Sequence, residues 1–344
     1  MSLISHLPPP NLAPPILSQP IAIASCTLFT VSYVSSLYLH PAGRITATKD
    51  DDGNVIDRDH PTVIRARIIT ASLATAVTIA ATGLGLWFNN AVPRSGWLLE
   101  TLNISRLLGL PLPTPSLLNS NSLPFNPTLS SYLVNVCKQI AAPLLLTSLL
   151  FLGPITVSFL DRQLPFQRFF SFHRDLVEKV TTLAGIRNFL VGPITEELVF
   201  RTAILTTLLF SGVSNIKLIF ASPIFFGIAH AHHAYNVYLQ GGRTTNAAFR
   251  GLSIATLQFA YTGVFGWYAN FLFLRSGSIL GSTTAHIFCN IMGLPNPIDA
   301  CERHPTSKSL IWIAHAAGIV LFAKYLFPFT SASILGPSLY WPQS

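Results

Sequence analysis

Three short stretches place side chains that can exchange protons inside otherwise apolar sequence. They are EELVFR (196–201) with Glu196, Glu197 and Arg201, FFGIAH (225–230) with His230, and HIFCN (286–290) with His286 and Asn290. A charged side chain at mid-membrane costs about 2.5–3.5 kcal/mol on insertion scales, so charges kept there usually face the protein interior and mark function. These stretches are therefore the candidates for a buried reaction site.

The two adjacent glutamates have different local partners if the segment is helical. Glu197 and Arg201 are spaced i,i+4 and can pair on one face. Glu196 points about 100° away, because an α-helix has 3.6 residues per turn. Buried without a cation, Glu196 is suited to act as general base or acid near neutral pH. A salt bridge among all three remains open for Glu196, and it is the preferred interpretation for Glu197 and Arg201.

The histidines lie at helical spacing from further useful groups. Phe226 is one turn before His230, and His232 and His233 follow near the expected membrane interface. His286 and Asn290 are spaced i,i+4, so together they could offer two hydrogen-bond donors to one point. A role in packing alone remains the alternative for both.

The elements that must position these residues are membrane helices. Hydrophobic residues make up 50% of the 344 residues, charged residues only 10%, and the mean hydropathy is +0.50. Soluble domains carry about 25% charged residues, and the long apolar runs here lack the charged helix faces of a soluble α/β protein. We predict an all-α, polytopic membrane protein. The first basic residue is Arg44, so no cleavable signal is expected.

Eight apolar segments approach the roughly 20 residues that a membrane-spanning helix needs. They are 17–40, 66–90, 129–160, 188–211, 217–237, 250–274, 277–294 and 309–327. The third contains Pro143 and Pro154 and is expected to kink. Residues 166–188 mix basic side chains with Phe and Leu, which predicts an amphipathic helix lying on the membrane surface. Residues 110–130 are rich in Pro, Ser and Asn and are expected to form a loop on the non-cytosolic side.

Loop charges orient the chain. If the first loop is cytosolic, most of the 21 Lys and Arg residues fall on the cytosolic side, which predicts that both termini are non-cytosolic. Glu196, His230 and His286 then lie at similar depths in the cytosolic half of the membrane. We expect them to line one cavity that opens to the cytosol. The basic residues are spread over several loops, so nucleic-acid binding is not expected.

This set of groups favours hydrolysis of an acyl bond without a covalent intermediate. Glutamate and histidine can activate a water molecule, and histidine with asparagine can form an oxyanion hole. Cys289 lies about 100° from Asn290 on the helix and is discounted as a nucleophile. Zinc bound by Glu196, His230 and His286 is the rival hypothesis, although no HExxH motif is present.

The three stretches resemble the EExxxR, FxxxH and HxxxN motifs of the CAAX prenyl endopeptidases of the Ras-converting type. The resemblance spans about residues 160–295, which would be the catalytic core of a single transmembrane domain (1–344). It implies eight transmembrane helices in the endoplasmic reticulum and an active site open to the cytosol. It also implies that the last three residues of prenylated CaaX proteins, such as small GTPases, are removed.

The resemblance also implies residue roles. Glu196 and His230 would activate the water, His286 and Asn290 would hold the oxyanion, and Glu197, Arg201 and Phe226 would support them. The family is generally regarded as metal-independent, so neither a metal nor a cofactor is expected. Three alternatives stay open: a non-catalytic binding protein, a peptidase for unprenylated peptides and, ranked last, a proton or ion transporter.

Overall fold

The computed structural model describes residues 15–45, 53, 55–112 and 129–341, and it is all-α, as predicted. The predicted loop at 110–130 lies mostly outside these residues. We number the helices α1 (Gln19–Leu39), α2 (Pro61–Phe88), α3 (Trp97–Leu107), α4 (Leu129–Leu150), α5 (Leu152–Leu160), α6 (His173–Val177 and Glu178–Thr181), α7 (183–210), α8 (Asn215–Phe220), α9 (Pro223–Ala229), α10 (His232–Gln240), α11 (Thr245–Ser276), α12 (Ile279–Met292), α13 (Pro297–Arg303), α14 (Lys308–Phe329) and α15 (Ala332–Leu335).

Within the described residues, four helices are long and apolar enough to cross a membrane. They are Gln19–Leu39, Pro61–Phe88, Leu129–Leu150 and Pro305–Phe329. No more than 28% of any of these apolar stretches is buried inside the protein, so most of their side chains face outward, as expected next to lipid. The prediction of a polytopic membrane protein is confirmed.

The other four predicted segments are helical but are broken, short or carry many polar side chains. The prediction of one helix over 217–237 is wrong, because α8, α9 and α10 divide that stretch. Pro223 starts α9, where its missing N–H would have no helical partner, and α9 ends before His230. His230 therefore lies at a helix end rather than within a helix, which lets its ring face the interior beside α7.

The predicted kink in 129–160 is a break at Phe151, between α4 and α5. Pro154 has no N–H to offer the carbonyl of Leu150 four residues earlier, which accounts for the interruption. Pro143 stays inside α4. Thr147 Oγ1 donates a hydrogen bond of 2.7 Å to the Pro143 carbonyl, which keeps this turn of the helix closed.

The predicted single amphipathic helix over 166–188 is wrong. Within this segment, α6 is the one helix before Thr182. Thr182 is extended (ψ 148°), and its side chain accepts a hydrogen bond from Gly185 N. This capping ends one helix and begins the next. Large apolar side chains in this segment are exposed, among them Phe166, Phe169 and Phe172, so its placement on a membrane surface stays a prediction.

Helix α7 lies in the centre of the molecule and carries the two adjacent glutamates. Residues 199–205 are all buried, and α7 packs against α1, α2 and α12. The stretch Leu198–Leu205 is wound as a π-helix, a form that recurs at functional sites. Burial on all sides means that a charge within residues 199–205 needs a partner from within the protein.

Candidate active site

The pairing of Glu197 with Arg201 is present and fully buried. Glu197 Oε1 lies 3.1 Å from Arg201 Nη1, and the two side chains are 0% and 1% exposed. The Arg201 guanidinium is stacked between two rings, 4.7 Å from the centroid of Phe226 and 5.5 Å from that of Phe265. An ion pair flanked by aromatic faces is held rigidly, because both charge and shape restrict the guanidinium.

His286 joins the two glutamates. Its Nδ1 lies 2.8 Å from Glu197 Oε1, and its Nε2 lies 3.6 Å from Glu196 Oε2. A carboxylate only accepts hydrogen bonds, so Nδ1 carries a proton and donates it to Glu197. The 3.6 Å separation of His286 Nε2 from Glu196 Oε2 is within ion-pair distance but too long for a direct hydrogen bond.

Glu196 is the accessible member of the pair. Its side chain is 24% exposed and lines a cavity of about 1300 Å³, whereas Glu197 and Arg201 are not among the residues that line it. The sequence expectation that Glu196 has no cation partner on its own helix agrees with this arrangement. It did not anticipate that His286 would contact both glutamates from α12.

His230 is oriented by the residue one turn before it. Its Nδ1 lies 2.8 Å from the carbonyl oxygen of Phe226, so Nδ1 must carry the proton and the lone pair of the neutral ring is on Nε2. The Phe226 ring meets His230 edge-on at 4.8 Å and His286 at 6.0 Å. Phe226 therefore spaces the two imidazoles and covers Arg201, which fits its assignment as a supporting residue.

Asn290 is held by the start of α7. Its Nδ2 donates a hydrogen bond of 3.0 Å to the main-chain carbonyl of Asn188. One of the two amide protons is thus engaged, and the second is left for a ligand. Asn290 and His286 both line the cavity, although the expected convergence of their donors on one point requires use of that second proton.

One cavity of about 1300 Å³ connects these groups. All four predicted catalytic residues, Glu196, His230, His286 and Asn290, line it, and so do Phe226 and Cys289. The remaining lining is of two kinds. Its polar part includes Arg58, Arg67, Arg187, Asn188 and Asn236, and its apolar part includes Ile216, Phe220, Trp267, Phe271, Phe322, Leu326, Phe327 and Trp341.

Sequence reasoning missed two contacts of the site. The ring centroids of Phe265 and His286 lie 4.8 Å apart, and the Phe265 ring also faces the Arg201 guanidinium. Nothing in the local sequence distinguishes Phe265 from a packing residue. Tyr33 on α1 lines the cavity and its hydroxyl lies 2.9 Å from Thr195 Oγ1, next to Glu196. A tyrosine in an apolar helix was a usable signal, because its buried hydroxyl needs a partner.

The alternative hypothesis from the sequence was a zinc site formed by Glu196, His230 and His286. Within the part of the chain that the structure describes, no three His, Cys, Asp or Glu side chains are grouped so that they could hold a metal ion. The two glutamates and His286 instead form a carboxylate–imidazole cluster with Arg201 as its buried cation.

Comparison with known proteins gives a consistent result. The family model "Type II CAAX prenyl endopeptidase Rce1-like" matches residues 178–292. A human protein named CAAX prenyl protease 2 is 30% identical over 319 residues, covering 92% of this chain and 83% of its own length. A Schizosaccharomyces pombe protein named probable CAAX prenyl protease 2 is 33% identical, covering 78% of this chain and 79% of its own. An Arabidopsis thaliana CAAX prenyl protease 2 is 35% identical over 56% of this chain and 64% of its own length. No solved structure matches.

Proposed function

This chain belongs to the type II CAAX prenyl endopeptidase family, and from that premise we propose that it hydrolyses prenylated CaaX proteins with Glu196 and His230 activating a water molecule. It is a membrane-embedded protease that acts on CaaX sequences. The finer steps, the residues and the location are inferred from the site. One observation carries the proposal: Glu196 on α7, His230 at the end of α9, and His286 and Asn290 on α12 line a single cavity.

In the first step Glu196 accepts a proton from water. The water oxygen bonds to the carbonyl carbon of the scissile peptide, and the carbonyl electron pair moves to the oxygen. The His230 lone pair on Nε2 provides a second acceptor for the water, since Nδ1 is committed to Phe226. Glu196 suits this role because its side chain faces the cavity, while that of Glu197 does not.

His286 and Asn290 stabilise the oxyanion. Nε2 of His286 would donate to the oxyanion with both ring nitrogens protonated, while Nδ1 donates to Glu197 at 2.8 Å and fixes the orientation of the ring. Asn290 adds its second amide proton. As the oxyanion collapses, the C–N bond breaks and the proton taken from water passes to the leaving nitrogen. The products are a free tripeptide and a new carboxyl group on the prenylated cysteine.

The apolar part of the cavity supports a prenyl substituent as part of the substrate. Aromatic and aliphatic side chains line it, and an acyl or prenyl chain gains about 0.8 kcal/mol per buried CH₂. We further propose that the enzyme is a single domain with a catalytic core at about 160–295. It would lie in the endoplasmic reticulum membrane with the cavity open to the cytosol, where small GTPases would be among its substrates.

The test is cleavage of a fluorescent farnesylated CaaX peptide by the purified, detergent-solubilised chain. Its unfarnesylated twin and a chelator-treated sample run alongside. We expect tripeptide release from the farnesylated peptide alone, unchanged by chelator. Equal cleavage of both peptides would favour the unprenylated-peptide alternative, and binding without cleavage by folded protein would favour the non-catalytic one. Loss on chelation with recovery by zinc would overturn the metal-free water mechanism.

A further inference from the structure

Three arginine side chains line the polar part of the cavity. They are Arg58 just before α2, Arg67 on α2 and Arg187 on α7. Asp59 is the carboxylate that contacts them among the described residues: its Oδ1 lies 2.7 Å from Arg187 Nη2 and 3.7 Å from Arg58 Nε. In the described part of the chain, one carboxylate for three guanidinium groups gives this wall of the cavity an excess of positive charge, which favours an anionic ligand.

Arg67 is the arginine of this wall that has no carboxylate partner among the described residues. Its Nε donates 2.9 Å to the carbonyl of Gly43, and its guanidinium carbon lies 5.2 Å from the centroid of the Tyr38 ring. No carboxylate of the described residues lies within ion-pair distance of Arg67, and its Nη2 is buried without a hydrogen-bond partner. A buried N–H donor of a cation that has no acceptor raises the free energy of the folded protein. A carboxylate ligand that accepts from Arg67 would remove this penalty.

The guanidinium is nevertheless held in place. The Gly43 carbonyl and the Tyr38 ring fix it from two sides, so little side-chain entropy remains to be lost on binding. Its flat, forked shape matches a carboxylate, which can accept two parallel hydrogen bonds from it. By contrast, each nitrogen of the Arg187 guanidinium already has a partner: Nη2 contacts Asp59, Nη1 donates to the carbonyl of Arg58 at 2.7 Å and Nε donates to Asn188 Oδ1 at 2.9 Å.

Two chains of contacts connect this arginine wall to the reaction site. Asn290 donates to the carbonyl of Asn188, whose side chain accepts from Arg187. On the other side, the Tyr38 ring against Arg67 also meets the ring of His232 at 5.9 Å, two residues after His230.

We propose that Arg67, with Arg58 and Arg187 adding positive charge around it, binds the C-terminal carboxylate of the CaaX substrate. Anchoring that carboxylate at one end of the cavity places the peptide bond three residues away at Glu196 and His286. Arg67 would thus fix the position of the cleaved peptide bond relative to the C-terminus of the substrate. This inference rests on the proposed function, because it assigns a binding role within the same cavity.

The experiment compares two farnesylated CaaX peptides, one with a free C-terminal carboxylate and one with a C-terminal amide. The kcat and KM of each are measured for the full chain and for Arg67→Gln. A charged hydrogen bond contributes about 1.5–3 kcal/mol, so we expect Arg67→Gln to raise KM for the carboxylate peptide by about 10- to 100-fold. Its KM for the amide peptide should rise much less, because the amide lacks the negative charge that Arg67 pairs with.

Arg65→Gln is the matched control. Arg65 lies two residues earlier on α2, is exposed and does not line the cavity, so it removes the same charge without touching the site. We expect its KM for both peptides to stay within about twofold of the original. A second variant, Arg67→Lys, keeps the charge without the fork and should recover part of the lost affinity.

Each outcome has one interpretation. Equal KM for carboxylate and amide peptides in the unaltered protein would overturn the carboxylate assignment while leaving the proposed protease function intact. A matched loss on both peptides in Arg67→Gln would show a structural role for Arg67 and would also overturn it. Absence of cleavage of either peptide by the folded, unaltered protein would instead count against the proposed function itself.

Discussion

Two clusters of ionisable side chains join helices that are far apart in the sequence, and they differ in how much water reaches them. The buried cluster comprises Glu196, Glu197, Arg201 and His286, and it joins α7 to α12. The surface cluster comprises Asp161, Asp299, Arg303 and His304, and it joins the end of α5 to α13. Each contains two carboxylates, one arginine and one histidine.

Exposure separates their roles. In the buried cluster Glu197, Arg201 and His286 are 0%, 1% and 7% exposed and Glu196 is 24% exposed. In the surface cluster Asp161 and His304 are 17% and 23% exposed, and Arg303 and Asp299 are 46% and 54% exposed. Ions withdrawn from water lose hydration that their attraction only partly returns, while exposed pairs gain about 0–1 kcal/mol. We infer that the same four kinds of group serve the proposed chemistry in the buried cluster and connect two helices in the surface cluster.

The largest expected effect of a single substitution is on Glu196, the member of the buried cluster that faces the cavity. Glu196→Gln keeps the size of the side chain but cannot accept the proton of water. We expect the turnover of farnesylated CaaX peptide to fall by about 10⁴-fold, the upper range for loss of a general base. The measurement is tripeptide release by purified protein, with thermal unfolding to show that the variant is folded.

Asp161→Asn is the matched control in the surface cluster, since it makes the same kind of change to a carboxylate that contacts a histidine and an arginine. Its turnover should stay within about twofold of the original. Normal turnover by Glu196→Gln would refute the water mechanism, and equal losses in both variants would remove the distinction between the clusters.

The second effect concerns stability rather than chemistry. Arg201→Met leaves Glu197 as a buried charge with only His286 to pair with it, and removing one partner of a buried pair costs about 3–5 kcal/mol. We expect the free energy of unfolding in detergent to fall by about that amount. The double variant Glu197→Gln/Arg201→Met should recover part of the loss, because no unpaired charge is left behind. Losses that simply add would contradict a direct pairing.

The buried cluster also shows which contacts of the site could be predicted from the sequence and which could not. The i,i+4 spacing of Glu197 and Arg201 predicted their pairing, and similar depth predicted that Glu196, His230 and His286 would line one cavity. Spacing within one helix says nothing about contacts between helices, so the link from His286 to Glu197 was not foreseen. Nor was the engagement of Asn290 with the Asn188 carbonyl.

The fold shows the same limit. Hydropathy located the apolar segments, because about 20 apolar residues are needed to span a membrane. It did not foresee the division of 217–237 at Pro223 and His230, because proline and helix-end effects on the backbone do not change hydropathy. Residues 166–188 had a suitable amphipathic composition, but the capping side chain of Thr182 ended α6.

The third effect tests the role of Asn290 at the edge of the buried cluster. Loss of one oxyanion donor typically lowers kcat by about 10²–10³-fold, and we expect Asn290→Ala to lie near 10²-fold because one of its amide protons already serves Asn188. KM should change much less than kcat. Asn89→Ala is the control, since its amide also donates to a main-chain carbonyl, that of Gly85 at 2.8 Å, but it is exposed and outside the cavity.

The changes in kcat and KM of Asn290→Ala distinguish two roles for Asn290. A fall in kcat with KM unchanged supports stabilisation of the transition state. A rise in KM with kcat unchanged would instead make Asn290 a substrate-binding residue and would leave His286 as the oxyanion donor. Equal behaviour of Asn290→Ala and Asn89→Ala would remove Asn290 from the site.

The smallest effect is expected in the surface cluster and depends on pH. Burial raises the pKa of the Asp161 carboxyl, but hydrogen bonds from Arg303 and His304 outweigh that effect and hold the pKa below its usual value. A carboxyl whose pKa is lower in the folded than in the unfolded state stabilises the fold above the unfolded pKa, about 3.9. That stabilisation is lost as the pH falls through the folded pKa.

Asp161→Asn should therefore lower the free energy of unfolding at pH 7 by about 1 kcal/mol or less. The difference from the original protein should shrink as the pH is lowered from about 4. Denaturant unfolding in detergent at pH 7 and in this acid range measures both values. High salt should also weaken the effect of Asp161→Asn, because exposed ion pairs are screened, while the loss in Arg201→Met should persist because its charges are shielded from water. Similar salt dependence in the two variants would mean that burial does not separate the clusters.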